Sequence, residues 1–263
     1  MANDELCLIR GGGDLGTGVA WRLTRSGFPV VVTDLDRPLA VRRRVALSTA
    51  IDEGHVDIEG MIGRSARSAD EAVRLAFSGD VGVVASAGLP EVGAGVVVDA
   101  RLSKRNIDTT ITDARVVVAL GPGFAAGVDC HAVVETLRGP RLGRVIWDGC
   151  AAADTGSPGV VGTKGMERVL RAPGDGSAVW SVAIGDVVAA GQPLGLVGGL
   201  PVSCPFDGKV RGLIREGVEV SLGAKIGDVD PRTDVAADEI SDKALAVGGG
   251  VLEAVMVCLN QFR

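Results

Sequence analysis

Ile9-Arg10-Gly11-Gly12-Gly13-Asp14-Leu15-Gly16-Thr17-Gly18 sets Gly11, Gly13 and Gly16 in G-x-G-x-x-G order directly after an apolar run, and Asp34 closes the next apolar run. This is the sequence form of a strand, a tight turn, a helix N-terminus and a carboxylate placed to read a ribose hydroxyl. Gly11 permits the sharp turn, Gly13 lets backbone approach a phosphate, and Gly16 lets helix and sheet pack closely. Amides of Gly12 and its neighbours then supply donors, aided by the helix dipole. The same glycines also suit a turn used only for packing or for another anion. Asp14 either repels a pyrophosphate, unless a cation bridges the two, or serves as a helix N-cap.

Outward from this turn, the periodicity predicts a helix over Leu15–Arg25 with Gly27 as its stop, a strand at 28–34, and a second helix from Pro38 to about Ala50 carrying Arg42, Arg43 and Arg44 either on a solvated or salt-bridged face or in contact with phosphate. A helix near Ser68–Phe77 and strands at Val81–Ala85, Val96–Asp99, Val116–Leu120 and Val145–Trp147 follow. Continuous apolar strands favour a parallel sheet covered on both faces. The fold class is α/β: a Rossmann-like parallel sheet over residues 1–165, with a looser linker at Gly149–Gly165.

Residues Arg171–Val197 repeat as Ser203–Val229 at a 32-residue offset, with Pro173/Pro205, Asp175/Asp207, Gly176/Gly208, Gly185/Gly217 and Val197/Val229 identical. Short strands separated by regular glycines predict a compact β-sandwich or barrel-sandwich module of two quasi-equivalent halves over 166–232, since neither half can bury a core alone. Residues 233–263 form a C-terminal segment in which Gly248-Gly249-Gly250 is either a joint before an apolar helix, Val251–Leu259, that packs back on the first domain, or an anion site at that helix start.

The formal charge of −6 and the absence of Tyr argue against nonspecific nucleic-acid binding. No apolar run reads as a membrane span. Five scattered cysteines imply a reduced, cytoplasmic chain. No P-loop, H-E-x-x-H, G-x-S-x-G or paired-cysteine motif is present, and no metal ligand set is assigned.

Two further polar clusters follow strands. Asp99, Arg101, Lys104, Arg105 and Asn106 rim the same crevice as the glycine turn if their strands run parallel, or else form a salt-bridged surface loop; in the first case Lys104 offers a point charge and Arg101 or Arg105 a fork for carboxylate or phosphate. Gly121-Pro-Gly123 opens a segment ending in Asp129, Cys130 and His131. Asp129 and His131 are the candidate catalytic pair, His131 being either a general acid–base or a structural histidine.

With Arg10–Ala20, Pro38–Arg43, Asp99–Asn106, Leu120–Gly139 and Ile240–Ala254 in view, the chain resembles the selenium-dependent molybdenum hydroxylase system proteins. The repeat, through Gly185-Asp-Val-Val-Ala-Ala-Gly-Gln-Pro-Leu, is similar to biotinyl/lipoyl modules, although Gly198–Val202 lacks their attachment lysine. The resemblance implies an accessory role in maturing a molybdenum hydroxylase client. A phosphorylated small molecule, either a molybdopterin dinucleotide or an NAD-like dinucleotide, would then lie against Gly11, Gly12, Gly13, Asp14, Gly16 and Asp34, within reach of Arg101, Lys104, Gly121 and Gly123. The alternatives are an NAD-dependent oxidoreductase and a non-enzymatic scaffold that docks a client hydroxylase through the β module. A homo-oligomer is compatible with each.

Overall fold

The computed structural model describes residues 4–154, 156 and 164–261; the remainder of the expected Gly149–Gly165 linker lies outside them. The chain divides into two compact units. One comprises residues 1–38, 46–154 and 240–263, and the other residues 39–45 and 155–239.

The first unit is built on a nine-stranded sheet. In chain order its elements are β1 (Cys7–Arg10), α1 (Asp14–Arg25), β2 (Val30–Asp34), α2 (Thr49–Glu53), β3 (His55–Ile58), β4 (Met61–Ala66), α3 (Ala69–Phe77), β5 (Val81–Ala85), β6 (Val96–Asp99), β7 (Val116–Leu120), β8 (Ala125–Ala126), β9 (Ala132–Val134), β10 (Val145–Ile146) and β11 (Gly149–Cys150). The sheet order is β10-β9-β7-β6-β1-β2-β5-β4-β3. Seven central strands run parallel, while β3 and β10 are antiparallel edges. The all-parallel, Rossmann-like sheet expected from the sequence is therefore corrected to a mixed one. The hairpin β3–β4 and the short strand β9 were illegible because their apolar runs are brief or interrupted by charge; β10 falls within the strand expected at Val145–Trp147, but as an antiparallel edge.

Leu8, Val31, Val97, Val117 and Val133 line one face of the sheet with Ala72 and Ala76 of α3 and with Phe124. The final helix, α4 (Asp242–Gln261), runs along α1 and packs on β7, β9 and β10. It passes straight through Gly248-Gly249-Gly250, so the expected joint is absent. A Cβ on Gly248 would strike the backbone of Gly18, one on Gly250 the Gly143 carbonyl, and one on Gly18 would lie 2.5 Å from the Ala244 carbonyl oxygen. Gly18 and Gly248 let α1 and α4 approach at backbone distance, Gly250 lets α4 meet the Gly143 backbone, and a sequence reading takes the triplet for a hinge. Ser241 caps the helix, its Oγ accepting from the Ala244 amide at 3.0 Å. By length and composition α4 is long and apolar enough to cross a membrane, contrary to the expectation of no such run, and half of its most apolar window is buried inside the unit.

The expected helix from Pro38 to Ala50 is also corrected. Only a single 3₁₀ turn, Arg43–Val45, precedes α2. Residues Leu39–Val45 belong to the second unit, where Val41 is part of the core and a Cβ on Gly212 would stand 2.6 Å from the Val41 carbonyl oxygen. Arg43 Nε donates to the Leu213 carbonyl at 2.9 Å. Arg42 and Arg43 are thus held by backbone acceptors, Arg42 Nη2 donating to the Glu239 carbonyl at 3.4 Å, in place of lying on a helix face.

The second unit holds β12 (Val169–Arg171), β13 (Gly176–Trp180), β14 (Val187–Val188), β15 (Pro193–Val197), β16 (Leu200–Ser203), β17 (Gly208–Leu213), β18 (Glu219–Val220) and β19 (Lys225–Asp230). One sheet has the order β12-β19-β17-β14 and the other β16-β15-β13-β18. Adding the 32-residue offset to a strand of the first half gives its counterpart in the second, and this operation converts one sheet order into the other. Each sheet thus takes two strands from each half. Hydrogen bonds repeat as well: Asp175 Oδ1 accepts from Leu222 N and Asp207 Oδ1 from Ala190 N, both at 2.7 Å. The interleaving explains why both copies are required, since neither half contains a complete sheet. Leu194 and Ile226, equivalent positions, are both fully buried in the shared core.

Asp230, at the end of β19, is buried. Burial pushes its carboxyl up, but hydrogen bonds from Arg232 and Arg211 outweigh this and hold it well below the usual carboxylate range. Because the folded state resists its protonation, the stabilisation is fully present above the unfolded pKa and is lost as pH falls below about 4. Thermal midpoints measured from pH 6 to pH 2 are expected to fall more steeply for the natural chain than for Asp230→Asn; parallel curves would refute this.

Candidate functional site at the strand-order reversal

The chain lays down β2 and β5 on one side of β1, then returns to place β6 and β7 on the other. In open α/β sheets the crevice outside the carboxyl ends of the strands at such a reversal is where ligands bind. Here the two strands end in paired charges. Arg10 of β1 stands in register with Asp99 of β6, and both are only 1% exposed.

Around them lies a continuous network. Arg101 grips Asp99 through Nη2 at 2.6 Å and Nε at 3.1 Å. Thr109 Oγ1 donates to Asp99 at 2.6 Å and accepts from Arg10 Nη1 at 3.0 Å and Arg101 Nη2 at 3.1 Å. Arg10 Nη2 and Arg101 Nη2 both reach Asp108 Oδ1 at 2.8 Å. The hydrogen bond from Arg10 leads in holding the Asp108 carboxyl below its ordinary range, with Arg101 adding to it. Asn106 ties the loop together, its Oδ1 accepting from Thr109 N at 2.9 Å and its Nδ2 donating to the Thr109 carbonyl at 2.8 Å and to Asp129 Oδ1 at 3.2 Å. Lys104 pairs with Asp154 at 2.7 Å. Leu102 and Lys104 adopt left-handed backbone at φ 55° and 62°, a conformation that costs free energy in non-glycine residues.

The glycine turn beside this network is closed by protein. Gly11 N donates to the Thr33 carbonyl at 2.7 Å. Gly12 N donates to Asp34 Oδ2 at 2.8 Å, and Asp34 Oδ1 accepts from Leu35 N. The carboxylate expected to read a ribose therefore seals its own turn. Burial nonetheless pushes its carboxyl up, against the lowering effect of those two amides. A Cβ on Gly12 would lie 2.8 Å from the Ser48 amide nitrogen, and one on Gly11 would lie 2.8 Å from the Ala100 carbonyl oxygen; on Gly16 it would strike the Gly11 carbonyl. Gly11, Gly12 and Gly16 thus serve the close approach of neighbouring backbone. Only Gly13 faces open space, as the N-cap of α1, and it supplies no side-chain cap. Asp14 lies within the first turn, 3.5 Å from Ser241 Oγ, and is not the cap.

Gly121 and Gly123 have φ of 71° and 104°; Gly121 packs against Thr136, while Gly123 supports the Asn106 loop. A Cβ on Gly123 would meet the Arg105 backbone at 2.5 Å, and the Gly123 carbonyl accepts from Asn106 N at 3.0 Å. Asp129 Oδ2 accepts from Ala125 N at 2.8 Å, while His131 Nδ1 accepts from Val117 N at 3.0 Å. Asp129 therefore braces the Asn106 loop, and His131 joins β7 to the start of β9. Burial holds the His131 imidazole below its usual pKa. The two side chains are committed to different elements. Burial raises the Cys130 thiol to about 12, with Asp129 adding to the rise, which leaves no thiolate near neutral pH. Sequence reasoning placed Arg101, Asn106 and Asp99 at the crevice but passed over Arg10, Asp108 and Thr109. The available signal was a charge ending each of two apolar runs, Arg10 and Asp99. Among the described residues no group of three or more His, Cys, Asp or Glu side chains is placed to hold a metal ion.

Fold and site define an α/β protein whose polar centre lies at a strand-order reversal. No family model matches the chain. It is 44% identical over 261 residues to the uncharacterised protein YqeB of Escherichia coli K12, covering 98% of this chain and 48% of that protein. The chain thus spans about half the length of the curated relative it matches. Among solved structures, it is similar to an aspartoacylase family protein of Mesorhizobium loti (12% identity, 88% of this chain, 87% of that one, TM-score 0.29) and to a succinylglutamate desuccinylase/aspartoacylase of Rhodobacter sphaeroides (14%, 89% and 87%, TM-score 0.29). Likeness at that TM-score is too slight to bear on fold or activity. None of these proteins carries a name tied to molybdenum hydroxylase maturation or to biotinyl/lipoyl carriers. The resemblance to selenium-dependent hydroxylase system proteins, and with it the dinucleotide-binding, oxidoreductase and client-docking readings, is corrected accordingly. The sealed Gly11–Asp34 turn is the physical counterpart of that correction.

Proposed function

We propose that the first unit binds a small anionic molecule in the crevice between the ends of β1 and β6, with Arg10 and Arg101 as its anchors. The observation that carries this reading is the convergence of two guanidinium groups on one solvent-reachable carboxylate, at 2.8 Å from each, at the point where strand order reverses. Arginine is suited to the task because its planar fork stays charged and addresses both oxygens of an anion. Four of the five cysteines, Cys7, Cys130, Cys204 and Cys258, are buried and unpaired, which supports a reducing, cytoplasmic setting.

Calorimetric titration of the full chain with small mono-, di- and tricarboxylates and with inorganic phosphate tests the proposal. At least one anion is expected to bind, and Arg101→Gln is expected to weaken it by about tenfold or more, the worth of one charge-assisted hydrogen bond. Equal affinity in the variant would place any anion elsewhere and defeat the reading.

A further inference from the structure

Asp108 differs from its partners in one respect. Its side chain is 47% exposed, while those of Arg10 and Arg101 are 1% and 16% exposed. Asp108 is thus the solvent-facing member of a network whose two guanidinium groups are largely sequestered. Arg10 Nη2 contacts both of its oxygens, Oδ1 at 2.8 Å and Oδ2 at 2.9 Å. The flanking backbone is pinned by Asn106 on Thr109, so rotation of the Asp108 side chain clears the position without rebuilding the loop.

We infer that Asp108 is an internal stand-in for the ligand, and that the site takes a small molecule through a carboxylate that displaces it. This rests on the anion-site reading above and adds the ligand class and its built-in competitor. Without Asp108, Arg10 and Arg101 face only Asp99, leaving one net positive charge. A buried guanidinium left without a counter-charge is costly, so displacement requires an exchange of one anion for another. A single remaining charge beside the fixed Asp99 carboxylate matches a monoanionic, planar carboxylate better than a dianionic phosphoryl group.

The test uses the full chain with Asp108→Ala, and with Asp108→Asn as the shape-preserving variant should alanine prevent folding. Acetate, propanoate, succinate and inorganic phosphate are titrated at neutral pH, and thermal midpoints are compared with chloride at equal ionic strength. Carboxylates are expected to bind the variant about tenfold more tightly than the natural chain, and to raise its midpoint more than chloride does, with no matching gain for phosphate. Unchanged carboxylate affinity, with binding still lost in Arg101→Gln, would overturn the stand-in while leaving the site in place. An equal gain for phosphate would overturn the carboxylate assignment. Failure of every anion to bind either protein would remove the site itself, and the inference with it.

Discussion

Gly248→Val is expected to cost the first unit about 3 kcal/mol or more, at the upper end of what overpacking does, because the obstructing atoms are backbone. A Cβ at this position strikes the Gly18 carbonyl, and Arg22 Cγ stands only 3.0 Å away. Neither helix can yield alone. α1 is fixed at its start by the sealed glycine turn, and α4 is held on its far side, where Gly250 lies against the Gly143 backbone. The neighbouring Gly249 supplies the control. A Cβ there meets nothing within 4 Å, so Gly249→Ala is expected to stabilise by up to about 1 kcal/mol through helix propensity. Urea unfolding followed by circular dichroism should move the two midpoints in opposite directions. Two shifts of the same sign would show that the close approach of α1 and α4 does not govern the unit's stability.

Asp99→Ala is expected to cost about 3–5 kcal/mol, the usual consequence of removing one partner from a buried ion pair. The carboxylate receives Arg101 Nη2, Arg101 Nε, the Arg101 amide and the Thr109 hydroxyl. Its loss strands Arg101 Nε, which donates to both Asp99 oxygens, and leaves Arg10 and Arg101 facing Asp108. Hydrogen exchange at the Thr109 amide should accelerate together with the drop in urea midpoint. Asp99→Ala combined with Arg101→Ala is expected to be less damaging than the sum of the two single changes, since no charge is then left uncompensated. Strict additivity would mean that the pair is not energetically coupled.

Much of the architecture was legible. Apolar runs such as Val96–Val98 and Val116–Leu120 became buried central strands because continuous hydrophobicity suits a sheet covered on both faces. The 32-residue repeat disclosed two related halves. Other features misled. Leu39–Val45 has a helical pattern, yet Val41 and Arg43 are recruited by the second unit's core and by the Leu213 carbonyl, and tertiary contacts override weak local propensity. Gly248-Gly249-Gly250 has the composition of a hinge, but only the contacts of Gly248 with α1 and of Gly250 with Gly143 distinguish the glycines that allow approach from the one that faces open space.

The candidate site shows the same division. Arg101 and Asn106 were visible because they cluster after a strand. Arg10 was hidden because a single charge ending an apolar run gives no indication of what it meets, and Asp108 because its role depends on two arginines distant in sequence. For the first turn, spacing alone could not tell an anion cradle from a packing device.

By itself, the amino-acid sequence determined the alternation of strands and helices, the position of the glycine turn and the doubling of the β unit, because periodicity and turn chemistry act over a few residues. Tertiary structure alone decided that Asp34 would spend its carboxylate on the Gly12 amide and that Arg10 would meet Asp99, Thr109 and Asp108. Those outcomes depend on which strands become neighbours. Strand order is set by the burial of the whole sheet, a quantity that no local window contains.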